Sequence, residues 1–94
     1  MEVLNVIYRC KEGKREEFLN AILSEGIDEA CRAEQGNICY DYFLAAQSDD
    51  ELFLLEKWAD MEALERHWGQ AHFARLGELK EQYVADTAID RFEV

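Results

Sequence analysis

A chain of 94 residues has room for one domain, residues 1–94, and a modest hydrophobic core. Hydrophobic residues make up 49% and charged residues 33%, a globular balance that excludes a disordered chain. The 21 acidic against 10 basic residues leave a net charge of −11, which disfavours nucleic acid and anionic membrane surfaces as partners.

The chain opens on a strand over residues 2–10. Leu4, Val6 and Tyr8 alternate with Val3, Asn5 and Ile7, so both faces are largely apolar and both require cover. Lys11 to Gly13 form the turn. A helix is predicted over 14–32, with Phe18, Leu19, Ile22, Leu23, Ile27 and Ala30 on its apolar stripe. Lys14, Arg15, Glu16, Glu25 and Glu29 fall largely off that stripe. Gly26 interrupts the helix without an evident reason, and Gly36 is placed to terminate it in the left-handed conformation. Residues 37–46 and 51–58 read as a hairpin around the turn formers Gln47-Ser48-Asp49-Asp50. Asp60 is a natural N-cap for a short helix carrying Ala63, Leu64, His67 and Trp68. Gly69 separates it from a longer one with His72, Leu76, Leu79 and Tyr83 on one stripe. A final strand is predicted from Thr87 to Val94.

The order β-α-β-β-α-β, with the second helix in two pieces, is the ferredoxin-like α+β arrangement: an antiparallel sheet with helices on one face. The helices cover one face only, yet the first three strands are apolar on both. A second copy packed sheet against sheet is the simplest cover, so a homodimer is expected. No stretch is apolar enough to span a bilayer and no basic leader precedes one, so a cytoplasmic location is expected. Cys10, Cys31 and Cys39 form no CxxC pair, and an odd, unpatterned count argues against a disulfide framework or a zinc site.

No phosphate-binding glycine loop, HExxH, nucleophile elbow or calcium loop is present, so no metal, flavin or other cofactor is expected. What remains is polar residues where apolar ones would serve. His72 lies on the apolar stripe of the last helix. It is either a core histidine bonded to a carbonyl or carboxylate, or a proton acceptor of the type suited to neutral pH. His67 lies five residues earlier across Gly69, so the pair lacks the i, i+4 spacing of helical metal ligands. Glu56 shares a strand face with Leu52, Leu54 and Trp58, and a carboxylate there requires a partner. A structural role, bonding a helix terminus or a histidine, is the preferred reading. Asn5, Tyr40, Tyr42, Trp58, Trp68 and Phe73 complete the set. Aromatic stripes are more often core than binding wall. Two Trp, four Tyr and five Phe can nevertheless line a small apolar cavity.

The run Glu34-Gln35-Gly36, then Tyr40, Glu56-Lys57-Trp58, Ala63-Leu64, His67 and His72-Phe73 resembles the antibiotic biosynthesis monooxygenase family over nearly the whole chain. The resemblance implies a ferredoxin-like fold in a face-to-face homodimer, a dimeric α+β barrel. It also implies cofactor-independent oxygenation, by dioxygen, of a small aromatic substrate such as a quinol or phenol. His72 matches the family's histidine before phenylalanine and is the candidate catalytic residue. Asn5, Tyr40, Glu56, Trp58, His67, Trp68, Phe73 and Tyr83 are the candidate substrate-binding residues. Haem-degrading relatives use an asparagine, a tryptophan and a histidine. Asn5 could stand for the first, but His67 falls where the tryptophan would, and Ala74-Arg75-Leu76-Gly77 supplies no axial histidine. Relatives acting on a phosphorylated sugar would need a basic cluster, for which only Arg66 and Arg75 are at hand. A non-catalytic or regulatory small-ligand-binding module on the same fold stays open beside the monooxygenase reading.

Overall fold

A computed structural model describes all 94 residues. The elements follow as β1 (Glu2–Cys10), α1 (Arg15–Ser24), α2 (Ile27–Arg32), β2 (Asn37–Leu44), β3 (Glu51–Trp58), α3 (Met61–Trp68), α4 (Ala71–Tyr83) and β4 (Val84–Glu93). The four strands form one sheet in the order β2-β3-β1-β4, with every neighbouring pair antiparallel. This is the ferredoxin-like α+β fold. No helix is long and apolar enough to cross a membrane.

The core lies between one sheet face and the helices. Leu4, Val6 and Tyr8 of β1, Leu52, Leu54 and Trp58 of β3, and Tyr40 of β2 point into it. The helices answer with Phe18, Ile22, Ile27, Cys31, Ala63, Leu64, Leu76 and Leu79. Phe18 sets its ring edge-on to Tyr8 at 5.4 Å and lies 6.2 Å from Tyr83. Tyr83 therefore belongs to the end of the core beside α1.

The helix predicted over 14–32 is in fact two. Gly26 adopts φ 68°, a left-handed conformation that glycine alone takes without strain, and it separates α1 from α2. The break re-aims the second piece so that Ile27 and Cys31 both reach the core. Arg15 also departs from the reading of a solvated face. It is buried, and its guanidinium donates to the carbonyls of Ser48 and Glu51, tying α1 to the β2–β3 turn. Asp60 caps α3 as expected, accepting from the Ala63 N–H at 2.9 Å. β4 begins three residues before the predicted start, at Val84, because α4 runs into it with no intervening loop.

Gly36 fixes how α2 is joined to β2. Its φ is 87°, its carbonyl accepts from the Ala59 N–H at 2.8 Å, and an added Cβ would stand 2.6 Å from the Ala63 Cβ. Gly36→Ala therefore combines a disfavoured backbone with a clash against α3. It is expected to lower stability by about 2–4 kcal/mol, measured by urea unfolding. A loss under about half a kcal/mol would mean that the turn relaxes freely.

The opposite sheet face carries no helix. Strand register sets its side chains in rows: Phe43, Phe53, Ile7 and Ala88; then Asp41, Leu55, Asn5 and Asp90; then Cys39, Lys57, Val3 and Phe92. Phe43 and Phe92 are each half exposed there.

Candidate histidine–carboxylate site

Glu34 lies just past α2, in a turn closed by the Glu34 N–H to the Cys31 carbonyl and the Asn37 N–H to the Glu34 carbonyl. From there its carboxylate enters the space between α3, α4 and the sheet. One oxygen, Oε2, lies 2.7 Å from His67 Nδ1 and 2.7 Å from His72 Nε2. Two neutral imidazoles can both donate to a single carboxylate oxygen. The far nitrogen of His67 faces Glu56 Oε1 at 3.8 Å, and that same oxygen accepts from Trp58 Nε1 at 3.1 Å. The result is a polar chain, Trp58 to Glu56 to His67 to Glu34 to His72, hydrogen-bonded throughout except across the 3.8 Å between Glu56 and His67.

Aromatic rings enclose the middle of this chain. Trp58 lies against the His67 imidazole at 4.6 Å, Phe73 meets it edge-on at 5.1 Å, and Tyr40 at 5.8 Å. The side chain of His67 is only 2% exposed, whereas that of His72 is 20% exposed. His72 is thus the end of the network that meets solvent, and His67 is sealed behind it.

The dry surroundings act on the titrating groups. Burial pushes the Glu56 carboxyl up to about 7, the Trp58 hydrogen bond working against this and the Glu34 charge adding to it. Burial also lowers His67, with the Glu34 hydrogen bond opposing. Burial raises Tyr40 well above the ordinary phenol value and pushes the Cys31 thiol up to about 12.

A carboxyl that holds its proton more tightly in the folded chain costs stability as pH rises. For Glu56 that window runs from 4.5 up to about 7. Glu56→Gln keeps an acceptor for Trp58 and removes the charge. Relative to the parent, the variant is expected to gain about 1–3 kcal/mol between pH 5 and pH 8. Unfolding curves at the two pH values measure this, and a difference that stays constant would show that Glu56 ionises normally.

The fold brings together Tyr40, Glu56, Trp58, His67, His72 and Phe73 of the residues singled out from sequence. It does not bring three others. Asn5 lies on the helix-free sheet face, Trp68 is exposed at the end of α3, and Tyr83 packs toward Phe18. The two histidines converge despite their spacing, because Gly69 and the turn into α4 swing both onto Glu34. Glu34 itself, with Cys31 behind it, is absent from the residues that sequence reasoning singles out as the site. It belongs to no periodic stripe, so only its place in the Glu34-Gln35-Gly36 run points to it.

Clefts lie elsewhere. One of about 340 Å³ is bounded by Leu19, Leu23, Arg32, Asp41, Tyr42 and Phe43. The other, of about 450 Å³, lies where α4 meets β4 and is lined by Lys80, Glu81 and Asp86 among others. Beside His67 the rings of Trp58, Phe73 and Tyr40 lie 4.6, 5.1 and 5.8 Å from the imidazole.

A ferredoxin-like α+β chain with a carboxylate joining two histidines under an aromatic cover defines the class. The family model described as antibiotic biosynthesis monooxygenase matches residues 1–79, and the chain belongs to that family. It is 38% identical over 73 residues to the Bacillus subtilis (strain 168) protein named "Putative monooxygenase YcnE", covering 78% of this chain and 75% of that one. Among solved structures, PA3566 from Pseudomonas aeruginosa superposes with a TM-score of 0.88 at 25% identity, covering 99% of this chain and 92% of that one. A conserved protein from Bacteroides thetaiotaomicron VPI-5482 does so with a TM-score of 0.86 at 29% identity, covering 99% and 96%. Family membership and the YcnE relationship support a monooxygenase-like role.

Proposed function

We propose that this chain is a cofactor-independent monooxygenase for a small quinol or phenol, acting as a cytoplasmic homodimer. The observation that carries the reading is the 2.7 Å contact from the half-buried His72 imidazole to the Glu34 carboxylate. With Nε2–H donated to Glu34, Nδ1 is the nitrogen left to accept a proton. A buried carboxylate behind a histidine fixes the tautomer and stabilises the imidazolium formed when the proton arrives.

A phenolate gives an electron to dioxygen far more readily than a phenol, so removal of that proton starts the reaction. The substrate then supplies every electron: a hydroquinone and dioxygen give a hydroxyquinone and water. His72 takes the proton, Glu34 holds His72, and His67 holds Glu34 from within. Phe73 and the rings around His67 keep water from the carboxylate side. The substrate approaches from the side on which His72 is exposed.

The test is oxygen uptake by chelator-treated, flavin-free protein with a series of naphthohydroquinones. Saturable uptake above the spontaneous rate is expected for at least one. No uptake, together with ligand-induced quenching of tryptophan fluorescence, would assign the fold a binding role instead.

The homodimer rests on the helix-free face, where Phe43, Phe53, Ile7, Leu55, Val3 and Phe92 lack intramolecular cover. Two chains of net charge −11 repel, so the apolar contact must outweigh that repulsion. Light scattering at micromolar concentration and physiological salt is expected to give the mass of two chains. Phe53→Lys is expected to halve it, and a monomeric parent would end this part of the reading.

A further inference from the structure

We propose that Cys31, Glu34, His67 and His72 form a binding site for one borderline-soft divalent cation of the zinc class. The donor atoms, one thiol sulfur, one carboxylate oxygen and two imidazole nitrogens, all lie within 4.8 Å of one another. Around tetrahedral zinc, bonds of about 2.0–2.3 Å place neighbouring ligand atoms about 3.3–3.8 Å apart. The two 2.7 Å contacts at Glu34 Oε2 would open by roughly half an ångström and the longest separations close by roughly an ångström, small shifts that bring the four atoms to tetrahedral ligand spacing.

Three further features point to an ion. Cys31 is fully buried on α2, His67 is sealed on α3 and His72 stands at the start of α4, so three donors sit on regular elements that fix their directions. His67 would bind through Nδ1, and its other nitrogen faces the buried Glu56 carboxylate at 3.8 Å. A carboxylate behind a ligating histidine is the usual support that orients the ring. The charges also balance. The Cys31 thiol gives its proton to solvent on binding, and the thiolate and the Glu34 carboxylate together neutralise the dication between two neutral imidazoles. A buried ion needs that compensation. A set of one sulfur, two nitrogens and one oxygen selects zinc or cobalt over magnesium and calcium.

The ion would enter past His72, the exposed member. It would replace the shared hydrogen bonds on Glu34 Oε2, so it would inhibit a reaction that uses the His72 imidazole. That consequence rests on the proposed function; the binding itself does not.

The test uses the full chain, free of purification tags and stripped by chelator, titrated with Co²⁺ and then displaced by Zn²⁺. One ion per chain is expected, with intense visible bands of tetrahedral cobalt and a thiolate-to-cobalt charge-transfer band in the near ultraviolet. Cys31→Ser is expected to abolish the charge-transfer band and weaken zinc by about tenfold or more. Cys39→Ser is expected to leave both unchanged. The parent spectrum is decisive by itself: a weak octahedral spectrum with no thiolate band overturns the site, whatever the variants do. Cys31→Ser binding within about twofold of the parent also overturns it. Cobalt binding of this kind by a parent that turns over no quinol would count against the catalytic reading alone.

Discussion

His72→Ala is expected to lower quinol-dependent oxygen uptake by about tenfold at the least, and by up to about 10⁴-fold, while the chain stays folded. The size follows from the role of a positioned general base. Without it, the phenolic proton must leave to water, and the phenolate that reduces oxygen forms rarely. The folded state should survive, because Glu34 keeps its bond to His67 and the lost side chain is only partly buried. His72→Asn retains some hydrogen bonding toward Glu34 but accepts no proton, so it is expected to be nearly as slow. Full uptake by His72→Ala would return His72 to the role of a core histidine.

Glu34→Gln is expected to lower kcat on the order of 10²-fold with little change in KM. The substituted amide would fill the same volume, and its oxygen could still accept from an imidazole. What it lacks is the negative charge that stabilises the imidazolium formed at His72. Glu34 is thus a positioning residue: it acts through His72 and does not touch the substrate. A change in the pH dependence of kcat at constant KM separates this from a structural role. A structural role would reduce the amount of folded enzyme and leave the profile unchanged. Equal turnover by Glu34→Gln and the parent at all pH values would remove the carboxylate from the mechanism.

Element types are legible in the sequence because the hydrophobic periods are clear and short. The alternation in β1, the Asp60 cap and the left-handed Gly36 each reappear in the structure. Gly26 is visible in the sequence only as an interruption. Its function, re-aiming Ile27 and Cys31, depends on where the sheet lies, which no local pattern specifies. The site is legible in part for the same reason. His67, His72, Glu56 and Trp58 stand out as polar or bulky groups on apolar faces. Glu34 and Cys31 do not, one because it sits in a turn and the other because a buried cysteine resembles any small hydrophobe. The family resemblance marks Asn5 as a substrate contact, but strand alternation turns it to the face opposite His72.

The most direct measurement is turnover of an accepted quinol under ¹⁸O₂ by chelator-treated, flavin-free protein, with the product read by mass spectrometry. One labelled oxygen atom per product molecule is expected, with the other appearing in water, at a rate that collapses in His72→Ala. Product without label, or incorporation that appears only when a metal or flavin is added back, would contradict the account.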